Sequence, residues 1–311
     1  MQITITVDHG NANVKGKHKI FKSALVESTT RPAFGEDILK YGSSYYAISG
    51  TRIPYMRRKT LDSRFYVLTL FAIAYELEAM GIQMPDDIIE VELIVGLPPA
   101  HIGLQGDEFE QYFVRGEIEE FEFHGKAYAV YISRAHVYPQ ALAAVMPVYG
   151  QICTFPKVIV ADIGGWTVDY LMINNGEPDT HTSGSLENGT IVFYDKMIER
   201  INAEFDVLLT ESDIDAVLTD KPTDYSDRIK RMIKENAQTF INDLFNRLRE
   251  RMIDLRSGKV VFVGGGAVLF RKQIEASGKI GSPVFIDNIS ANAIGFELLH
   301  QAAMRAGQNN G

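Results

Sequence analysis

Two short stretches place carboxylates where an apolar strand should turn round. "TVDHGNANVKG", near the N-terminus, sets Asp8, Gly10, Asn11, Asn13 and Lys15 directly after an alternating apolar run. "VADIGGWTVDY", residues 160–170, sets Asp162, Gly164, Gly165, Thr167 and Asp169 after another. Both read Asp-x-Gly-x-x-polar-Val, and in each a second strand should follow. A glycine-rich turn exposes backbone N–H groups with no side chain in the way, and consecutive N–H groups form a nest for anionic oxygens. Lys15 is placed to add a charge-assisted contact to a phosphate. Asp8 and Asp162 would lie close to the same phosphates. A bare carboxylate there is repulsive, so a divalent cation is implied; Mg²⁺, which keeps several waters and takes few carboxylates, suits the pattern, with Asp8 and Asp162 reaching it through water. Either turn alone also reads as an ordinary tight turn. It is the matched pair that points to a polyphosphate gripped from two sides.

A third glycine turn, "VGGGAVL", holds Gly264, Gly265 and Gly266 between a strand and a helix. Such a turn permits close approach of a flat ring or ribose beside a helix N-terminus, or serves packing alone. It is neither a Walker P-loop nor the Rossmann fingerprint, since neither the Lys-Ser/Thr pair nor the Gly-x-Gly-x-x-Gly spacing is present.

These residues need elements to position them. Alternation predicts a strand over 2–8, with further strands around 18–27 and 45–48. A helix is predicted over 64–80, with Gly81 and Pro85 as stop signals. A buried strand follows over 91–99, and a hairpin over 117–132 turns at His124 and Gly125. A helix over 139–149 has Pro139 in its first turn. Strands at 157–162 and 168–173 flank the second carboxylate turn. Helices are expected over 189–205, 211–218 and 226–255, then a strand at 283–286 and a helix over 290–306, with a frayed tail. The carboxylate turns, about half a chain apart, imply two related α/β halves: residues 1–155 with 287–311 packing back onto them, and 156–286.

Composition narrows the class. The 311 residues exceed a comfortable single core, and 46% hydrophobic with 23% charged describes an ordinary globular protein. A formal net charge of -9 argues against charge-driven nucleic-acid binding. Arg52, Arg57, Arg58 and Lys59 form a small basic run, read as a solvated loop. One cysteine, Cys153, excludes an internal disulfide, fits a reducing cytoplasm, and reads as a small packed residue. The N-terminus lacks the pattern of a signal peptide, and the apolar run "FYVLTLFAIAYELEAM" is interrupted by Thr69 and Glu76, so no membrane association is expected.

Two Asp-x-Gly hairpins, a Pro-Gln between them and a late Gly-Gly-Gly turn, in this order, resemble the actin/Hsp70/sugar-kinase ATPase superfamily. Within it, order and length are most similar to the bacterial actin-like proteins of the ParM/StbA plasmid-segregation type, over essentially the whole chain. The resemblance implies two actin-like (ribonuclease H-like) α/β domains with a nucleotide cleft between them. It implies ATP or GTP with Mg²⁺, Asn11 and Asn13 at the phosphates, and Lys15 at the β-phosphate. Gly164, Gly165 and Thr167 would lie at the γ-phosphate, with Asp162 near the metal and catalytic water. "SLENGTIVFYDKMIERI" is similar to the helix that supplies base and ribose contacts, offering Gly189, Lys196 and Glu199. Gly264, Gly265 and Gly266 would form the adenosine loop. Gln140, in "YPQALAAV", holds the position that orients the attacking water; an amide has no useful pKa, so Asp162 would accept the proton.

The resemblance further implies slow hydrolysis coupled to filament assembly. It also implies a DNA-binding adaptor on a centromere-like site, so that DNA is contacted only indirectly. Trp166 stands where the family has a smaller residue, His9 reads as structural, and Asp169 reads as a brace for the turn. The segment 28–62 is short beside its eukaryotic counterpart. Two other classes stay open: a small-molecule kinase of the same superfamily, which needs an acidic base where Gln140 stands, and a non-polymerising nucleotide-sensing scaffold. A peptide-binding extension or an amphipathic membrane tail, which scaffold relatives carry, is not expected in "AGQNNG".

Overall fold

The computed structural model describes residues 1–33, 35, 37–82 and 87–309. The chain divides into two compact units, one of Met1–Pro147 with the stretch from Ser290 onward, the other of Val148–Ile289.

The first unit carries β1 (Gln2–His9), β2 (Asn13–Lys15), β3 (Ile20–Lys22), β4 (Leu25–Ser28), β5 (Ile38–Tyr41) and β6 (Ser44–Ile48). It continues with α1 (Arg64–Ala79), β7 (Ile88–Leu97), α2 (Ile102–Phe113), β8 (Ile118–Phe123), β9 (Lys126–Pro139) and α3 (Leu142–Val145). Its strands form one sheet in the order β3-β2-β1-β7-β9-β8-β5-β6-β4. β3 and β4 are the two ends of that order, yet only Ser23 and Ala24 separate them in the chain. The sheet must therefore curl until its edges come within about 11 Å, the reach of three peptide units.

The second unit carries α4 (Tyr149–Ile152), β10 (Lys157–Ile163), β11 (Val168–Asn174), β12 (Glu177–Leu186), α5 (Thr190–Phe205), α6 (Glu211–Leu218) and α7 (Asp227–Glu250). After these come β13 (Lys259–Val263), α8 (Gly265–Leu269), α9 (Arg271–Ala276) and β14 (Ser282–Phe285). α4 belongs here because the Tyr149 hydroxyl donates to the Gly176 carbonyl at 2.5 Å. The last helix, α10 (Ala291–Asn309), returns to the first unit.

The repeat seen in the two turns extends to topology. β12-β11-β10-β13-β14 matches β3-β2-β1-β7-β9 strand for strand: an antiparallel trio, then two parallel neighbours. Parallel strands of this kind are covered on both faces. That explains why β1, expected to show one wet face, buries its last five residues without alternation. On one face Ile5, Val7, Leu93 and Val95 join the core under α1. On the other, Ile94 packs with Ala143 of α3 and Phe296 of α10.

Several expected boundaries shift, each for a local reason. The strand expected over 18–27 breaks into β3 and β4, because Ser23, fully buried, turns back to bond the first carboxylate turn. The helix expected over 139–149 starts three residues late. Pro139 ends β9 in register with Leu97, the Gln140 N–H donates to the Leu97 carbonyl at 2.8 Å, and Ala141 takes φ +62°. Helix starts only at Leu142 and runs on through a short 3-10 turn, Met146–Val148, into α4. α7 stops at Glu250, short of the expected 255, and Met252 takes φ +64° to redirect the chain. α10 runs to Asn309, so most of the expected frayed tail is helical. Pro85 lies outside the described residues; α1 ends at Ala79, and Gly81 just beyond it takes φ +69°. α2, β5 and β12 have no counterpart in the sequence reading.

Candidate functional site

The first hairpin is pinned by its neighbours. β1 and β2 pair Asp8 with Lys15 and His9 with Val14. A Cβ on Gly10 would lie 2.5 Å from the Asn13 carbonyl oxygen, so only glycine closes this turn. Asp8 is 1% exposed, and its two oxygens accept from Lys15 Nζ at 3.0 Å and Gln140 Nε2 at 2.6 Å. Burial alone would raise its pKa. The Lys15 charge and hydrogen bond, then Lys59 and Gln140, outweigh burial and hold the carboxyl below its usual value. Asp8 is therefore an anion at neutral pH, fixed at a strand end.

Lys59 is the buried neighbour of the first turn that sequence reading missed. It is not part of a solvated basic run. It is 8% exposed, and its Nζ donates to the His9 carbonyl, within the first turn. Arg58 beside it does face solvent, pairing with Glu108 at 2.5 Å. The missed signal was an apolar flank: the helix that follows at once is buried all round, so the lysine before it had little solvent to reach. Thr69 and Glu76, the polar interruptions in that helix, also serve the hairpin side. Thr69 Oγ1 lies 2.8 Å from His9 Nε2, and Glu76 accepts from the His18 N–H at 2.9 Å. His9 stacks on Phe113 with ring centroids 5.2 Å apart. Burial, reinforced by the Lys59 charge and opposed by Asp8, lowers its pKa to about 3, so it stays a neutral structural ring.

The second hairpin has the same register. Asp162 faces Asp169 and Ile163 faces Val168, as Asp8 faces Lys15 and His9 faces Val14. A Cβ on Gly164 would meet the Thr167 carbonyl at 3.0 Å, the same offset of three residues. Thr167 Oγ1 donates to Asp169 at 3.2 Å, which makes Asp169 the brace of the turn. The turn's carbonyls feed the start of α5: Gly189, Thr190 and Ile191 donate to Trp166, Gly164 and Gly165 at 2.9, 3.1 and 2.8 Å. Gly189 thus spends its N–H on the turn, and a Cβ there would lie 2.3 Å from the Gly165 oxygen. Trp166, half-buried like the rest of the turn, accepts the Gly189 N–H through its carbonyl.

The third turn divides into distinct tasks. Gly264 has φ +89°, and a Cβ on it would meet Asp162 Oδ1 at 2.4 Å. Gly266 sits against Ile163 and Thr190 in the same way. Gly265 has nothing within 4 Å of its Cβ position and is the one open to a ligand. Asp162 is 7% exposed beneath this turn.

A family model described as archaeal actin homologue MreB-like, C-terminal, matches residues 160–276, which span the second hairpin, Gly189 and the Gly264–Gly266 turn. No curated protein matches the sequence. Among solved structures, the archaeal actin homologue Ta0583 resembles the chain with a TM-score of 0.76 at 19% identity, over 97% of this chain and 99% of that one. The psk41 ParM protein gives 0.68 at 16%, over 98% of each. Bacillus thuringiensis ParM with AMPPNP gives 0.69 at 12%, over 96% of this chain and 98% of that one. The chain has the actin-homologue fold.

Within the actin-homologue fold of this chain, the first unit gathers Asp8, Gly10, Lys15, Gln140 and Lys59. The second gathers Asp162, Gly164, Gly165, Thr167, Gly189 and the three glycines of the third turn. Lys196 and Glu199 lie apart, on the exposed face of α5. Asn11 and Asn13 are half-buried in and beside the first turn. Gln140 is not at a helix start, yet it is 8% exposed and touches Asp8, so its burial comes from the end of β9. Taken one at a time, Asp8 and Asp162 each offer a hard carboxylate oxygen at a strand end, the donor type that Mg²⁺ takes. Both Asp8 oxygens already accept hydrogen bonds, which favours a contact to the ion's waters over direct ligation.

Proposed function

We propose that this chain is a nucleotide-dependent polymerising protein that binds ATP or GTP with Mg²⁺ and hydrolyses it, and whose filaments move or segregate DNA. The observation that carries the reading is the paired hairpins. Two turns of identical register each place an aspartate at a strand end behind a glycine-closed turn. Such turns suit phosphate oxygens. Ta0583 in complex with ADP and Bacillus thuringiensis ParM with ATP, proteins of the same fold, support a nucleotide ligand.

In this reading Gly10, Asn11, Asn13 and Lys15 contact phosphates, joined by the charge of Lys59. Gly164, Gly165 and Thr167 contact the γ-phosphate. Gly264, Gly265 and Gly266 frame the adenosine, with Gly265 the closest approach. Gly189 acts by holding the second turn, and Lys196 and Glu199 supply base and ribose contacts. Bound Mg²⁺, facing Asp8 and Asp162, supplies neutralisation of phosphate charge. Gln140 donates through Nε2 to Asp8, which leaves its amide oxygen as an acceptor that can orient a water. Asp162 takes the proton. The filament, a homopolymer in the cytoplasm, reaches DNA through a DNA-binding adaptor at a centromere-like site.

The test is sedimentation and negative-stain microscopy of purified protein with Mg²⁺ and ATP, GTP or no nucleotide, with phosphate release followed in parallel. Nucleotide-dependent pellets and filaments are expected. No assembly under any nucleotide, or transfer of phosphate to a small alcohol, would overturn the reading.

A further inference from the structure

Glu92, His136 and His300 converge on the first unit far along the chain from one another. Each offers one ligand atom, and the three atoms lie within 4.8 Å of one another. Glu92 stands on β7, His136 on the neighbouring β9, and His300 on α10. In register, Glu92 faces Arg134, so His136 is its diagonal neighbour on the same face. His136 Nε2 lies 2.9 Å from Glu92 Oε1, and His300 Nε2 lies 3.8 Å from Glu92 Oε2.

We infer that Glu92, His136 and His300 form a binding site for a divalent transition-metal ion, with Zn²⁺ the best fit, that staples α10 to β7 and β9. Donors at about 2.0–2.1 Å around a tetrahedral ion stand about 3.3 Å apart. The separations to the two Glu92 oxygens bracket that value and all three ligand atoms lie within 4.8 Å of one another, so the side chains must draw together for one ion to reach all three. Two imidazoles and one carboxylate are a donor set that suits zinc, with an open position for water.

A further contact has the form of an outer ligand shell. Tyr138 Oη lies 3.1 Å from His300 Nδ1. With Nδ1–H donating to Tyr138, the Nε2 lone pair is free to face the ion, the tautomer a metal-bound histidine needs. The side chain of His136 is 33% exposed, against 15% for Glu92 and 10% for His300, which gives an ion a way in from solvent. The site uses none of the residues assigned to nucleotide, and Mg²⁺, which prefers oxygen donors, does not compete for it.

The experiment uses the untagged full chain without nucleotide. Zn²⁺ titrated against a competing chelator should bind one equivalent and raise the melting temperature. Co²⁺ should give the visible absorption of a four-coordinate site. His136→Gln, the most exposed of the three, should weaken binding at least tenfold, and Tyr138→Phe by about tenfold, the usual cost of an outer-shell partner. His124→Gln, which alters another histidine–carboxylate cluster in the first unit, should leave binding unchanged. Circular dichroism of each variant checks folding. Absence of Zn²⁺ binding at micromolar concentration, equal binding by wild type and His136→Gln, or loss with His124→Gln would each overturn the inference.

Discussion

At the scale of single residues, the buried groups beside the first turn have readable pH consequences. His9 has its pKa depressed from 6.5 to about 3 by burial and Lys59. The unfolded chain therefore binds a proton that the folded chain does not. The stability attached to His9 is complete above pH 6.5 and declines as pH falls towards 3, by about 1.4 kcal/mol per pH unit. His9→Asn should flatten the acid limb of a denaturant-unfolding series over that window; an unchanged slope would remove His9 as its cause. The stability attached to Asp8, whose pKa is also depressed, is complete above its ordinary value of 3.8 and is lost only as pH falls below it. Catalytic roles separate at this scale too. Asp162→Ala should abolish phosphate release with circular dichroism unchanged. Gln140→Ala should slow release about tenfold or more and leave filaments longer lived, since positioned groups contribute factors of that size. Phosphate release from Asp162→Ala at the wild-type rate would take Asp162 out of the chemistry.

At the scale of elements, the glycine turns contrast usefully. A methyl on Gly266 would collide with Ile163 and Thr190, whereas one on Gly265 meets nothing. Gly266→Ala should cost about 1–3 kcal/mol of stability, the usual penalty of overpacking. Gly265→Ala should leave stability within about 1 kcal/mol, because alanine favours the first turn of α8, yet weaken nucleotide binding. Thermal melts and a fluorescent-nucleotide titration of both variants check this; equal affinity for Gly265→Ala and wild type would show that the turn does not approach the ligand. The sequence presents these three glycines as one motif. Their separate tasks come from what lies behind each, namely the Asp162 carboxylate, open space, and the Ile163 and Thr190 side chains. The late start of the helix expected over 139–149 has the same kind of cause. Pro139 suits a helix start by local rule, but pairing with Leu97 claims it for β9.

At the scale of the whole molecule, the proposed ligand should act on stability by mass action. At one hundred times its dissociation constant, nucleotide with Mg²⁺ should add about 2.7 kcal/mol. A melting temperature unmoved by ATP, GTP or ADP would contradict nucleotide binding in any form. The two units repeat one five-strand plan, and the first inserts β8, β5, β6 and β4 on its far edge. The long-range echo of two seven-residue motifs was enough to expect two related halves, because a hairpin of fixed register needs the same strand partners on either side. Of the inserted strands, β8 falls in the hairpin expected over 117–132, β6 at the expected 45–48 and β4 in the stretch 18–27, whereas β5, four residues long, leaves no periodic signal to read.

The sequence by itself determined the α/β class, the two carboxylate hairpins, the third glycine turn and the long helices, because alternation, helical periodicity and turn chemistry are local properties. Only the tertiary structure decided which polar residues those elements bring together. Lys59 becomes a buried partner of the first turn, Gln140 a ligand of Asp8, and Glu92, His136 and His300 one cluster. Each of these contacts joins residues distant in the chain, and their burial follows from strand order and the return of α10, which no window of sequence contains.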